Sequence, residues 1–519
     1  MNRENTSFYT RGTFFAALSL VVIIFFVFFP SLDNQFVNWD DDIHVTQNHF
    51  IQPLSFKTIQ GIFLSEVNKT YIPLTVLSFA VERHFFGLDP FMYHVHNLLL
   101  HSAVVMLIFW LGRIFGLSVF AAWLAALIFG IHPMHVESVA WVTERKDVLY
   151  AVFYLLAMVT YSRFFVRRLL DRGQKDVSLL SREGLFPLTC VVALGLLSVL
   201  SKPMALSLPF ILLLLDWKMG RKMSPVVLWE KFLIGAVLVP AVLVTFSANL
   251  RAVTFVWPDS ILIWLWCLGF YIRKFFWPDV FTVFYFAPRH LSVTTPAVAG
   301  SLFSALAMVA SLWYFRKNRW FGFAVCYFMF SVFFLLRFDL GRDIQVVADR
   351  FMYLPSMGIC LWLGWLVQKY WPALSRGKRV VSWFLFAGVL LILVWKTYHQ
   401  CLVWRNGVSL WTHQMQAESR AAMPIIYLKL AEAMVQERAF EAEAAKYRGG
   451  VYKTVEESSY LRKVRGLYQK ALVLKPEYLH GHRLLAEFYL DLGEPSLAEP
   501  HIQAGIRINP DLWNKISVN

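Results

Sequence analysis

The sequence predicts an all-α polytopic membrane protein that ends in a smaller, polar helical domain. Three observations carry this. Of 519 residues, 58% are hydrophobic and only 16% charged, whereas soluble proteins carry about a quarter charged residues. The apolar residues run in long blocks, as at 14–30, 185–200 and 381–395, and roughly 20 such residues cross a bilayer. After His399 the composition changes, with Glu, Lys, Ala and Tyr replacing the apolar blocks.

Eleven spans are expected, near 13–30, 93–112, 118–134, 147–165, 186–201, 203–216, 232–249, 294–314, 320–337, 352–368 and 381–398, so that a membrane domain fills 1–400 and the second domain 401–519. The first block follows Arg3 and Arg11 without a small-residue cleavage site, which suits an uncleaved span. Residues 261–277 are apolar enough to span. Their tryptophans and the Arg273–Lys274 pair suit an interfacial or re-entrant helix instead.

The net charge of +15 does not point to nucleic acid, because the cations gather between apolar segments. Arg163, Arg167, Arg168, Arg172, Lys175 and Arg182 form one group, and Lys218, Arg221, Lys222 and Lys231 another. Arg316, Lys317 and Arg319, and then Lys369, Arg376, Lys378 and Arg379, repeat the pattern. This is the positive-inside signal, with contacts to anionic lipid headgroups as a further consequence. The loops 31–92, 133–146, 250–294 and 337–351 then face outward, as does everything after about residue 399. The five cysteines lie singly and outline neither a disulfide framework nor a metal site.

In the C-terminal domain, Tyr468, Ala471 and Pro476 have the spacing that closes a tetratricopeptide repeat, and Pro510 follows Pro476 by 34 residues, the period of that repeat. Leu485, Ala486, Tyr489 and Ala498 occupy its helix-packing positions, and a looser unit begins around Ile425, Leu430 and Ala431, with an insertion near 449–459. Such stacks bind peptides on a concave face, which favours a protein substrate or partner.

Ionisable residues beside spans are costly and are functional candidates by default; here they collect at the outer ends. Asn38, Asp40, Asp41, Asp42, His44 and Asn48 follow the first span. Adjacent carboxylates repel one another, so the group is a general base, a divalent-ion site or a hydrated loop start. His94, His96, Asn97 and His101 suit a metal or hydrogen bonds between helices. His132, His135, Glu137, Glu144, Arg145, Lys146 and Asp147 crowd one short outer turn. Lys202 either snorkels to the headgroups or binds an anion. Arg350, backed by Tyr353, suits a phosphate or anchors the interface.

The blocks NWDDDIHVTQN (38–48), YIPLTVLSF (71–79), FGLDPFMYHVHNLLLH (86–101), HPMHVESVAWVTERKDVL (132–149) and DRFMYLPSMG (349–358) occur in that order. With the C-terminal repeats, they resemble the transmembrane and tetratricopeptide-repeat O-mannosyltransferase family and its bacterial relatives, within the GT-C superfamily. The resemblance implies an inner-membrane enzyme with its active site and repeat domain on the periplasmic side. Such an enzyme moves a monosaccharide from a polyprenyl-phosphate carrier to Ser/Thr hydroxyls of a protein. It maps the acidic pair onto Asp40 and Asp41, leaving Asp42 variable, and the second-loop motif onto His132, His135, Glu137, Arg145 and Asp147. Lys202, Arg350 and Tyr353 match further positions, although Pro203 stands where an acidic residue is expected after Lys202. His96 joins the substrate-binding set.

Chemistry supports the same reading. Transfer from a sugar phosphate needs a base for the acceptor hydroxyl and positive charge for the departing phosphate. Asp40 or Asp41 can supply the first; Arg350, with Arg145 or Lys202, the second. Arg and Lys alone can handle a lipid monophosphate, so no metal is assigned, although a divalent ion stays open. No Gly-rich nucleotide loop occurs. An envelope glycan or lipid acceptor would use the same donor chemistry. A transporter would show internal repeats and interrupted helices at midplane, and a membrane-anchored scaffold leaves the acidic loop unexplained.

Overall fold

A computed structural model describes residues 11–51, 53–166, 182–247, 255–288, 290–338, 346–417, 423–449, 458–511 and 513. The cations Arg167, Arg168, Arg172 and Lys175, and most of the insertion expected at 449–459, lie outside the described residues. The described residues are almost entirely helical. They divide into two compact units: residues up to Asn34 with Ile43–Leu402, and Gln35–Asp42 with the chain from Val403 on.

The first unit contains α1 (Arg11–Phe28), α2 (Phe56–Leu64), α3 (Pro73–Phe86), α4 (Pro90–Ile114), α5 (Val119–Gly130), α6 (Val136–Ala140) and α7 (Arg145–Thr160). It continues with α8 (Arg182–Ser201), α9 (Leu208–Met219), α10 (Pro225–Ser247), α11 (Asp259–Phe276), α12 (Pro296–Tyr314), α13 (Arg319–Val332), α14 (Ser356–Tyr370) and α15 (Arg376–Val403). Helix α5 packs against α1, α4 and α14, and α7 against α4 and α8. Small residues allow the close approaches. Ala121, Ala122 and Ala125 of α5 are fully buried, and a Cβ on Gly364 of α14 would come within 2.5 Å of the Ala121 carbonyl oxygen. Hydrocarbon gives apolar helices no hydrophobic reason to associate, so such backbone proximity supplies the dispersion that holds them.

Among the described residues, five helical stretches are long and apolar enough to cross a membrane: Arg11–Asp33, Pro90–Ile114, Val142–Val166, Pro296–Tyr314 and Arg376–Val403. A sixth is a pair, Val119–Gly130 with Pro133–Ala140, bent by 54°. The eleven stretches expected from hydropathy do not all form helices of that length. Leu185–Ser201 and Arg319–Leu335 are shorter apolar helices, and the stretch at 203–216 begins as a 3-10 turn, Pro203–Ser207, ahead of α9. The segment expected to lie in the interface forms α11, with Trp266, Tyr271, Lys274 and Phe275 buried. Large side chains stay exposed along α1, α12 and α15, among them Phe26, Phe303 and Leu391, a surface suited to hydrocarbon rather than water.

The grouping of cations by loops needs one revision. Arg221 and Lys231 are buried, not free loop charges: Arg221 bonds Glu230 at 2.7 and 2.8 Å, and Lys231 contacts both Asp216 and Glu230. Two cations and two carboxylates thus cancel where none could be left alone in a low dielectric.

In the second unit, α16 (Gly407–Ala417), α17 (Pro424–Gln436), α18 (Arg438–Arg448), α19 (Ser459–Leu474), α20 (Leu479–Asp491) and α21 (Pro495–Ile508) each pack against the next, and α17 also packs against α19. Tyr468, Ala471, Leu485, Ala486, Tyr489 and Ala498 are all buried. Helix α19 stops just before Pro476 and α21 just before Pro510, because proline disfavours helical geometry in the residue before it.

Candidate active site

The break between α5 and α7 builds the site. Helix α5 ends at Gly130, His132 caps a 3-10 turn by accepting from Met134 N at 3.2 Å, and α6 lasts five residues. Trp141 is extended, and a second 3-10 turn, Val142–Glu144, leads into α7. Irregular backbone of this kind is tolerated at membrane depth only where protein satisfies it. Asn97 of α4 does so, donating to the carbonyls of Val139 and Trp141 at 3.3 Å each.

Three carboxylates and three cations converge on this break. Arg350 donates Nη1 to Glu137 at 2.5 Å and its backbone N–H to the same carboxylate at 2.9 Å. Glu144 lies 3.2 Å from Arg350 Nε, 3.0 Å from Lys146 Nζ and 3.7 Å from Lys202 Nζ. Lys202 also bonds Asp147 directly. The side chains of Lys146, Arg350 and Lys202 keep 16%, 11% and 9% of their surface, against 4%, 1% and 1% for Glu137, Glu144 and Asp147. The cations therefore form the rim and the carboxylates the floor. Trp141 and Phe351 flank the Arg350 guanidinium at 5.5 and 5.1 Å from its carbon to their ring centres, a stabilising placement for a cation over π faces. Burial works against the charge on Arg350, but Glu137, Glu144 and Asp147 outweigh it and hold the guanidinium above its ordinary value. An anion reaching the rim would meet Arg350 already held by its carboxylate partners.

Beside this group, Asp349 is buried and accepts from Tyr285 Oη at 2.5 Å. Burial raises its pKa to about 8, with Glu137 adding to the rise and Lys274 opposing it. His44 sits close enough to feel Lys146 and Glu144, and burial lowers its pKa to about 3. It stays neutral at physiological pH.

Other residues expected to bind substrate also make bonds within the protein. Arg145 is buried: Nε donates to Asn97 at 2.8 Å, Nη2 to Tyr93 O at 2.8 Å, and both terminal nitrogens bond Glu82. His132 donates to Phe275 O at 3.0 Å and stacks on that ring, and His135 bridges Phe129 O and Ser356 Oγ at 2.7 and 3.0 Å. Tyr353 is fully buried, its hydroxyl 2.7 Å from His101 Nδ1. His96 bonds Glu82 while keeping 37% of its side chain exposed. His94, His96 and His101 do not converge, and among the described residues no three His, Cys, Asp or Glu side chains are grouped to hold a metal ion.

The acidic loop lies in the second unit. Asp41 is buried and its Oδ2 accepts from Val37 N at 2.9 Å. Asp40 is half-buried with φ +62°, in the left-handed region, a conformation that short polar side chains tolerate and that recurs at functional sites.

Human protein O-mannosyl-transferase TMTC1 is 31% identical over 183 residues, 33% of this chain and 20% of its own length. Human TMTC4 is 33% identical over 174 residues, 29% of this chain and 23% of its own. Mouse TMTC3 aligns more broadly, 24% identical over 496 residues, 81% of this chain. The chain resembles the TMTC protein O-mannosyl-transferases. It spans half the length of mouse TMTC3 and a fifth to a quarter of the two human proteins. No family model and no solved structure matches it.

Of the residues the TMTC resemblance singles out, Glu137, Asp147, Lys202 and Arg350 come together. The carboxylate missing at Pro203 has a spatial substitute, since Asp147 and Glu144 reach Lys202 from α7 and the turn before it. The sequence names Glu144 and Lys146 without placing them in the binding set, reads Lys274 only as part of an interfacial helix, and does not single out Glu82 or Tyr285. Glu82 could have been found as the one acid in α3 (PLTVLSFAVERHFF), where an unpaired charge would be costly.

Proposed function

We propose that this protein is an integral-membrane glycosyltransferase of the GT-C type, moving a monosaccharide from a polyprenyl-phosphate donor to Ser/Thr hydroxyls of a protein outside the cytoplasm. The observation that carries it is the cation rim, Arg350, Lys202 and Lys146, resting on Glu137, Glu144 and Asp147. As the bond from sugar to phosphate breaks, the phosphate gains negative charge, and donors already fixed in a dry site stabilise that change most. Asp40 or Asp41 takes the proton of the acceptor hydroxyl.

The donor's tail needs an apolar berth. A cavity of about 840 Å³ lined by Phe275, Trp277, Leu366, Phe386 and Leu393, with Lys396 at its edge, has that character. The 34-residue period of 476–510 supports reading the second unit as a tetratricopeptide-repeat domain that presents the protein acceptor. The curated relatives, named as protein O-mannosyl-transferases, support mannose and a protein acceptor. In this reading the membrane is a bacterial inner membrane, with the site and the repeats on its periplasmic side.

The test is to incubate purified protein in lipid with polyprenyl-phosphate mannose and a Ser/Thr-rich polypeptide, then map the product by mass spectrometry. Hexose on hydroxyl side chains supports the reading; hexose found only on glycan or lipid rejects the protein acceptor.

A further inference from the structure

The acidic loop is held from far along the chain. Gln35 N donates to Arg405 O at 2.8 Å, about 370 residues later. The Asn38 amide is buried and makes three bonds to the C-terminal helices. Nδ2 donates to Lys429 O at 2.9 Å and to Glu432 Oε2 at 3.2 Å, and Oδ1 accepts from Trp411 Nε1 at 2.9 Å. Gly407, the first residue of α16, leaves room for it: a Cβ there would stand 2.4 Å from Asn38 Oδ1 and 2.8 Å from Ala433 Cβ. Trp39 meets Trp411 edge-on at 5.5 Å. One and two residues further on come Asp40, in its left-handed conformation, and Asp41, turned back onto Val37 N.

We infer that Asn38 is a positioning residue, through which α16 and α17 hold the Asp40–Asp41 carboxylates in their working conformation. The inference rests on the base role proposed above for that pair. It gives the C-terminal unit a part in turnover itself, independent of which acceptor it presents. An amide suits this task because it offers both donors and an acceptor, so one side chain can be locked by a carbonyl, a carboxylate and an indole at once. Alanine at 38 releases all three, and Phe at 411 releases only the indole bond while keeping the ring contact.

The experiment uses the full chain in lipid. Hydrogen exchange of residues 35–42 is followed in the parent, Asn38→Ala, Trp411→Phe and Gly407→Ala, alongside kcat and donor KM. Lys463→Ala, on the exposed side of α19, is the control. The expected result is faster exchange confined to 35–42, with kcat down about 10²-fold for Asn38→Ala, the size of loss that a displacement of about 1 Å brings. Donor KM should stay within a few fold, and Trp411→Phe and Gly407→Ala should fall between parent and Asn38→Ala. Unchanged exchange in Asn38→Ala overturns the clamp whatever the activity. Faster exchange with an unchanged kcat overturns the positioning role. A parent that exchanges slowly at 35–42 but transfers no sugar from any donor rejects the proposed function and with it the positioning role, while leaving the clamp itself standing.

Discussion

Arg350 is tied to Glu137 twice, once through its guanidinium at 2.5 Å and once through its own backbone N–H at 2.9 Å. The two bonds lock the turn Asp349–Met352 to α6, so the guanidinium cannot swing away with its loop. In the proposed reaction a charge so fixed would be arranged for the donor's phosphate in advance, leaving little reorganisation for the moment of transfer.

Lysine cannot reproduce that fork. Arg350→Lys keeps the charge but not simultaneous contact with Glu137 and Glu144. Turnover should fall about 10²–10³-fold, with weaker binding of the lipid donor in a direct titration, while the protein stays folded. Parent-like turnover and affinity would place the phosphate elsewhere.

Glu82 carries the counter-charge of Arg145 and also binds His96. Glu82→Gln leaves the guanidinium buried against Phe79 and Tyr93 without its carboxylate. Removing one partner of a buried pair costs about 3–5 kcal/mol. Thermal unfolding in detergent should show a clearly lower midpoint, with a larger drop than for Glu66→Gln at an exposed position.

Asp349 makes stability depend on pH. Its folded pKa of about 8 lies far above the ordinary carboxyl value of 3.8, so between roughly pH 4 and 8 the folded protein holds a proton that the unfolded chain does not. Stability from this group therefore falls as pH rises across that window and levels off above it. His44, lowered to about 3 from 6.5, runs the other way, losing stability as pH falls below 6.5. The variant difference isolates Asp349: Asp349→Asn keeps an acceptor for Tyr285 and has nothing to titrate. Its unfolding midpoint relative to the parent should rise from pH 5 to about pH 8 and level off above; a constant offset would show that the carboxyl titrates in its ordinary range.

The acidic pair is tested by neutral isosteres. Asp40→Asn and Asp41→Asn should each lower turnover by about 10²–10⁴-fold, the usual worth of a positioned base, with donor binding near normal. Asp42→Asn should cost far less. Equal damage from all three, with activity lost to a chelator and restored by a divalent ion, would replace the base with a metal site.

How much of this was legible beforehand depends on distance along the chain. Helical class, the apolar spans and the crowding of 132–147 follow from local composition and period, because a helix or a turn is decided by residues within a few positions of one another. The pairing of Lys202 with Asp147, or Arg350 with Glu137, depends on contacts 55 and 213 residues apart, which no window contains. Most of the internal partners are equally out of a window's reach: Arg145 bonds inward to Glu82 and Asn97, and His135 to Ser356 as well as to nearby Phe129, which meets the cost of polar groups beside spans. Hydropathy expects eleven spans; among the described residues five helices, or six with the bent pair, have the length and apolarity to cross. One run read as a single span, 203–216, is shortened by the 3-10 turn Pro203–Ser207.

The central claim is that the sugar arrives on a lipid phosphate and that the Arg350 rim receives that phosphate. The most direct measurement is a donor competition in one vesicle preparation. Polyprenyl-phosphate mannose and a nucleotide-linked mannose, each carrying a different isotope in its sugar, are offered together with a Ser/Thr-rich acceptor. Product carrying only the lipid donor's isotope, formed by the parent and reduced at least 10²-fold in Arg350→Lys, is the predicted result. Product carrying the nucleotide donor's isotope, or lipid-derived product formed equally by parent and Arg350→Lys, would contradict the account.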